Sequence, residues 1–179
     1  MILARSERCT VEDYELSENK VIKRFHCPLM FMNEKFVYDH FPWIAPHCFY
    51  INSDEMTILI GKGISLRNWM VTDRDDYFKK SIGKQIIKLS HRLWDEKYIH
   101  CDIHADNVVI FPVKIDNKVV SVTVKLIDFE YVHHRRTDSF EKDVDVKGGS
   151  FVCAFGGGER SIKTMLGYSF EELNEVKND

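Results

Sequence analysis

No glycine occurs before Gly61, and the whole chain of 179 residues holds only nine. Any turn upstream that needs a left-handed residue, or a backbone lying close against a ligand, is therefore built without the residue best suited to it. No apolar run approaches the roughly 20 residues of a membrane span. The opening "MILARSERC" places Arg and Glu ahead of any apolar segment, which is not the layout of a signal peptide. There is no C-x-x-C. The five cysteines, Cys9, Cys27, Cys48, Cys101 and Cys153, are odd in number and widely spaced, which favours free thiols in a reducing compartment over a disulfide framework. Three of them directly follow a histidine, but adjacent residues rarely face one metal together, so zinc is a poor fit. The net charge of -3 shows no excess of either sign, and predicts neither a nucleic-acid partner nor a membrane-surface partner. Repeats and low-complexity segments are also lacking. Together these absences predict a cytoplasmic protein, in a host's cytosol if the chain is a viral or effector protein.

What is present is enough for a packed core, with 44% hydrophobic and 30% charged residues in a chain of one domain or two small lobes. The first third reads as strands around one helix. "TVEDYEL" (10–16) leads through "SEN" into the β-rich "KVIKRF" (20–25). "LMFMNEKFVYDHF" (29–41) has Met30, Phe31, Met32, Phe36, Val37 and Phe41 at helical spacing, with Pro42 and Pro46 beyond as stops. "HCFYINSDEMTILIGKG" (47–63) reads as two antiparallel strands joined at Asn52-Ser53-Asp54, and Gly61 and Gly63 mark a lobe boundary. From about Asp75 to Glu96, Phe78, Ile82, Ile86, Leu89 and Leu93 share one helical face. Two β runs follow around a turn at Asp116-Asn117. Residues 130–146 are polar, and 151–177 look helical apart from Gly156 to Gly158.

Between the long helix and that hairpin stands "YIHCDIHADNVVIF" (98–111). A His, two Asp, a second His and an Asn crowd into eight residues between apolar flanks. A buried strand would not tolerate so many polar groups without partners. The segment reads as a polar loop clamped between packed elements, a common place for chemistry.

His100 to Asn107 fits H-x-D-x-x-x-x-N and resembles the catalytic loop of the protein-kinase-like superfamily. "LIDFE" (126–130) resembles the D-F-G segment that follows it, with Glu130 where glycine is usual. The resemblance implies an α+β, bilobal kinase-like fold over a single domain 1–179. Its β-rich N-lobe would cover about 1–61 and its reduced helical C-lobe about 64–179. It implies an ATP- and Mg²⁺-dependent kinase. Phosphoryl transfer asks a protein mainly to position the phosphate and neutralise charge. Asp102 would orient the acceptor hydroxyl and take its proton, with His100 bracing the loop. Asn107 and Asp128 supply hard oxygen ligands for Mg²⁺. Lys23 in "VIKRF" resembles the strand lysine that holds the α- and β-phosphates, with Lys20 as its rival on the other face of the strand. Glu34 would pair with it. Backbone groups of Leu59, Ile60 and Gly61 would meet adenine, and Gly63-Ile64-Ser65-Leu66 resembles the turn into the next helix, with Ser65 as its N-cap. Asp145 in "DVDVKGG" would brace the catalytic loop from beneath, a role it shares with an ordinary helix cap.

Three departures bear on function. No glycine-rich loop precedes Lys23, so "LARSERCTV" would cover phosphates without one, or the N-lobe is cut short. Cys101 stands where many protein kinases have an arginine that answers a phosphorylated activation loop. The basic run His133 to Arg136, with Thr137 and Ser139, lies where an activation segment would be. His104 and "LIDFEY" are similar to aminoglycoside and choline kinases, which act on small molecules. However, only fifty-one residues follow Asp128, a C-lobe too short to enclose a small acceptor and better suited to a protein surface. The reading is a minimal atypical serine/threonine protein kinase. Its rivals are a small-molecule kinase and a pseudokinase that serves as a binding module.

Overall fold

The computed structural model describes residues 2–72, 76–134, 163, 166 and 167. The chain divides into two compact units, Met1–Gly63 with Ile127–Val132, and Ile64–Leu126 with the chain from His133 onward. The first unit therefore includes a short return segment that the sequence expectation of 1–61 did not contain.

In the first unit, strands β1 (Ile2–Arg5), β2 (Cys9–Asp13), β3 (Lys20–Phe25), β4 (Cys48–Asn52) and β5 (Thr57–Gly61) form one antiparallel sheet in the order β1-β2-β3-β5-β4. The alternation of β3 buries Val21, Lys23 and Phe25 on one side. A lysine thus occupies a core position on this strand. The turn between β4 and β5 is tied by Asn52, whose Oδ1 accepts the N–H groups of Asp54 and Glu55 at 3.0 and 3.2 Å. Helix α1 (Pro28–His40) starts with proline in its first turn and stops just before Pro42. Its buried residues are Phe31, Glu34, Val37 and Tyr38. This corrects the expected face, since Met32 is 58% exposed while a glutamate lies inside. The return segment ends in a single 3-10 turn, Phe129–Tyr131, whose Phe129 is fully buried and meets the Tyr38 ring edge-on at 6.5 Å.

In the second unit, β6 (Ile64–Ser65) runs into α2 (Leu66–Thr72), where Ser65 Oγ accepts the Asn68 N–H as the expected cap. Helix α3 (Asp76–Asp95) buries Phe78, Ile82, Ile86 and Leu93. Strand β7 (Tyr98–Ile99) pairs with β10 (His133–His134), and β8 (Val108–Ile115) pairs with β9 (Lys118–Leu126) in a sheet of order β6-β8-β9. Asp116 and Asn117, at φ 48° and 63°, form the two-residue turn joining β8 to β9. Such a turn needs positive φ at both positions, and its twist matches that of the strands. The side chain of Gln85 on α3 reaches β9, donating to the Val122 carbonyl and accepting the Val124 N–H, both at 3.0 Å.

Among the described residues no helix is long and apolar enough to cross a membrane. The expectations at Asp145, at Arg135, Arg136, Thr137 and Ser139, and over most of the 151–177 helix lie outside the described residues.

Candidate active site

In the first unit, the side chain of Lys23 is reached from two directions. Its Nζ donates to Glu34 Oε1 at 2.8 Å and to Asp128 Oδ1 at 3.1 Å. Lys23 is 4% exposed and Glu34 is fully buried. The second oxygen of Glu34 accepts the Phe129 N–H at 2.7 Å, so one carboxylate ties β3, α1 and the return segment together. Burial alone would pull the lysine's pKa down. The carboxylates of Glu34 and Asp128 outweigh it and hold the ammonium well above its ordinary value. Burial pushes the Glu34 carboxyl up, helped by Asp128 and opposed by the Lys23 ammonium and the Phe129 amide.

Asp128 sits in the left-handed region at φ 69°, ψ 58°, a conformation that aspartate tolerates better than most side chains. Its side chain is 38% exposed. The Asp-Phe pair thus divides its work: Phe129 anchors the segment in the core, and Asp128 presents a carboxylate beside Lys23. Glu130, next along, is buried. Its carbonyl accepts the Asn33 side-chain N–H at 2.7 Å, and its carboxylate lies 3.7 Å from the Arg8 guanidinium. Burial, and then the nearby Asp128 charge, raise the Glu130 pKa.

Leu59, Ile60 and Gly61 lie on β5, which is paired on both sides, by β3 and β4. The Gly61 N–H donates to the His47 carbonyl at 2.9 Å. Lys20, the alternative lysine, is half-buried with its Nζ 4.1 Å above the Phe49 ring.

The second unit holds the polar loop. Ile103 and Ala105 are buried and pin it from below. His100 is buried too, and its Nδ1 accepts the Asp102 N–H at 3.3 Å. Cys101 bends the chain at φ 67°. Asn107 donates its amide N–H groups to the Asp102 carbonyl and to Asp102 Oδ2, at 2.9 and 3.2 Å. That fixes the Asp102 carboxylate and leaves the amide oxygen of Asn107 as its donor to a cation. His104 Nε2 lies 3.7 Å from Asp102 Oδ2, too far for a hydrogen bond. Arg67 clamps the loop from α2, with its guanidinium bidentate on Asp106 at 2.6 and 2.8 Å and its own N–H on the Ala105 carbonyl. The Arg67 hydrogen bonds hold the Asp106 carboxyl below its usual range.

The structure therefore brings Lys23, Glu34 and Asp128 together in one unit and Asp102 and Asn107 together in the other. Sequence reasoning did not find Arg8, Asn33 and Glu130 in the first group, nor the Arg67–Asp106 clamp. The only sequence signal for Glu130 was its place where glycine is usual.

The chain has a protein-kinase-like fold. It is similar to a Rio2 kinase from Chaetomium thermophilum, solved as an ADP/Mg²⁺-phosphoaspartate complex, with a TM-score of 0.63 and 16% identity over 98% of this chain. The chain spans 60% of the length of that kinase. No protein-family model matches the chain, nor does any curated protein sequence.

Proposed function

We propose that the chain is an ATP- and Mg²⁺-dependent phosphotransferase, a minimal atypical kinase acting on Ser or Thr hydroxyls of a protein. The observation that carries this reading is Lys23, buried on a strand face and held by Glu34 and Asp128. A buried ion pair is poor value as a stabiliser, because an apolar pair of similar volume does as well. Two opposite charges on core positions, with the part-exposed Asp128 carboxylate beside them, therefore argue for a role in chemistry. Lys23 would bind the α- and β-phosphates, with Glu34 keeping it oriented and charged. Asp102, steadied by Asn107, would accept the hydroxyl proton of the acceptor. Because β3, β4 and the His47 carbonyl already pair the backbone of Leu59 to Gly61, the adenine contact that the resemblance implied is not carried over to those groups.

The donors suit magnesium. Among the described residues no group of three or more His, Cys, Asp and Glu gathers as a protein-built metal cage. The Asp128 carboxylate in the first unit and the Asn107 amide oxygen in the second are each the kind of hard-oxygen ligand that Mg²⁺ takes alongside substrate phosphates. When bound, the ion would neutralise phosphate charge during transfer. The related structure's ADP and Mg²⁺ support the same reading.

The test is incubation with Mg²⁺ and γ-labelled ATP beside Asp128→Ala, with a cell extract as acceptor pool. Label on protein Ser or Thr with the wild type alone is the expected result. ATP consumption that labels a small alcohol or sugar instead would replace the protein acceptor. Nucleotide binding without consumption would leave a binding module.

A further inference from the structure

The turn between β1 and β2 contains no glycine, and its geometry shows what it offers in place of one. Ser6 Oγ accepts the N–H groups of Arg8 and Cys9 at 3.2 and 3.0 Å. Those amides are thereby engaged within the turn, so they cannot cradle a phosphate as a glycine-rich backbone does. The Arg8 main chain is fixed as well, since its carbonyl accepts the His26 N–H at 2.7 Å. Its guanidinium, by contrast, is held lightly. It is 49% exposed, lies 3.7 Å from Glu130 Oε2, and stands 5.3 Å from the centre of the Tyr131 ring. A charge-assisted hydrogen bond would be shorter by nearly an ångström, so this contact is easily exchanged.

The charges around it make exchange favourable. Glu34, Asp128 and Glu130 put three carboxylates into the first unit's cluster against the single ammonium of Lys23. A polyphosphate entering beside those carboxylates gains from each cation that joins it, a guanidinium as well as Mg²⁺. A guanidinium presents a planar fork that fits phosphate oxygens in pairs.

We propose that Arg8 is the phosphate-binding residue of the β1–β2 turn, its guanidinium moving from Glu130 to the polyphosphate of a bound nucleoside di- or triphosphate. The inference rests on the phosphotransferase reading and deepens it: a mobile side chain performs the task of an absent glycine loop. Glu130 holds the arginine over the site until the nucleotide arrives.

The experiment is calorimetric titration of the full chain with ATP, ADP, AMP and adenosine, each with Mg²⁺, for the wild type, Arg8→Ala, Arg8→Lys and Glu130→Gln. Arg8→Ala should weaken ATP and ADP about tenfold or more while leaving adenosine unchanged. Arg8→Lys should recover part of that loss, and Glu130→Gln should bind ATP at least as tightly as the wild type. An unchanged ATP affinity in Arg8→Ala overturns the proposal. So does an equal loss for adenosine, which would make Arg8 a structural residue. If the wild type itself binds no ATP, the phosphotransferase reading fails and this inference falls with it. Thermal melting of each variant separates lost contacts from lost fold.

Discussion

Burying Lys23 with Glu34 costs desolvation that their mutual attraction, helped by Asp128 on the lysine and the Phe129 amide on the glutamate, offsets, so each depends on the other. Lys23→Met should lower stability by about 3–5 kcal/mol, because it leaves a carboxylate buried without its counter-charge. Lys23→Met combined with Glu34→Gln should recover most of that loss, since glutamine still accepts the Phe129 N–H, yet should not turn over nucleotide. Urea midpoints decide this, and a double variant as unstable as the single would refute it. Tyr38 offers a simpler case. Its hydroxyl is buried with no hydrogen-bond partner among the described residues. Tyr38→Phe should therefore raise stability by about 1 kcal/mol. Cys9 gives a pH dependence. Burial, reinforced by Glu34, Asp128 and Glu130 against Lys23, pushes its thiol from 9.0 up to about 12. Between those values the unfolded chain has lost a proton that the folded chain keeps. Stability is then fully present below about pH 9 and falls as pH rises toward 12. Cys9→Ala should flatten that decline in urea titrations run from pH 8 to 11. An identical slope in both proteins would contradict the assignment.

At the scale of elements, β9 lies at the edge of its sheet among the described residues, and one side chain pairs two of its outward backbone groups. Gln85 takes the place of a neighbouring strand for the Val122 carbonyl and the Val124 N–H. Gln85→Ala should cost about 1–3 kcal/mol, because both backbone groups lose their partner. Gln85→Glu should be damaging too, since it keeps the acceptor but loses the donor to Val122. Hydrogen exchange at Val124 would report the loss directly. The elements legible in sequence were those with strong local patterns. Five apolar residues at helical spacing marked α3, Asp116-Asn117 marked the hairpin, and "KVIKRF" marked β3. Strands β7 and β10, of two residues each, are too short to carry a period. Strand β1 has no alternation and depends on pairing with β2. The face of α1 was misread because apolar residues surround most of the helix. Glu34 is drawn inside by Lys23 and by the Phe129 amide, neither of which the helix's own sequence reveals.

At the scale of the whole molecule, the candidate site was legible where one stretch of chain carries it. His100 to Asn107 and the Asp-Phe pair are local patterns, and the roles given to them rest on their resemblance to kinase motifs. Glu130 and Arg8 were not legible, because their meeting depends on the return of residues 127–132 to the first unit. The Arg67–Asp106 clamp was hidden because its partners stand 39 residues apart and meet only when the second unit folds. In the proposed mechanism Asp102 receives a proton during phosphate transfer from ATP. Phosphorus NMR of the γ-phosphate of Mg·ATP, in extract, with the wild type and with Asp102→Asn, follows that step. The expected result is transfer by the wild type and a rate at least about a hundredfold lower in the variant, with ATP affinity unchanged. Equal rates in the two proteins would contradict it.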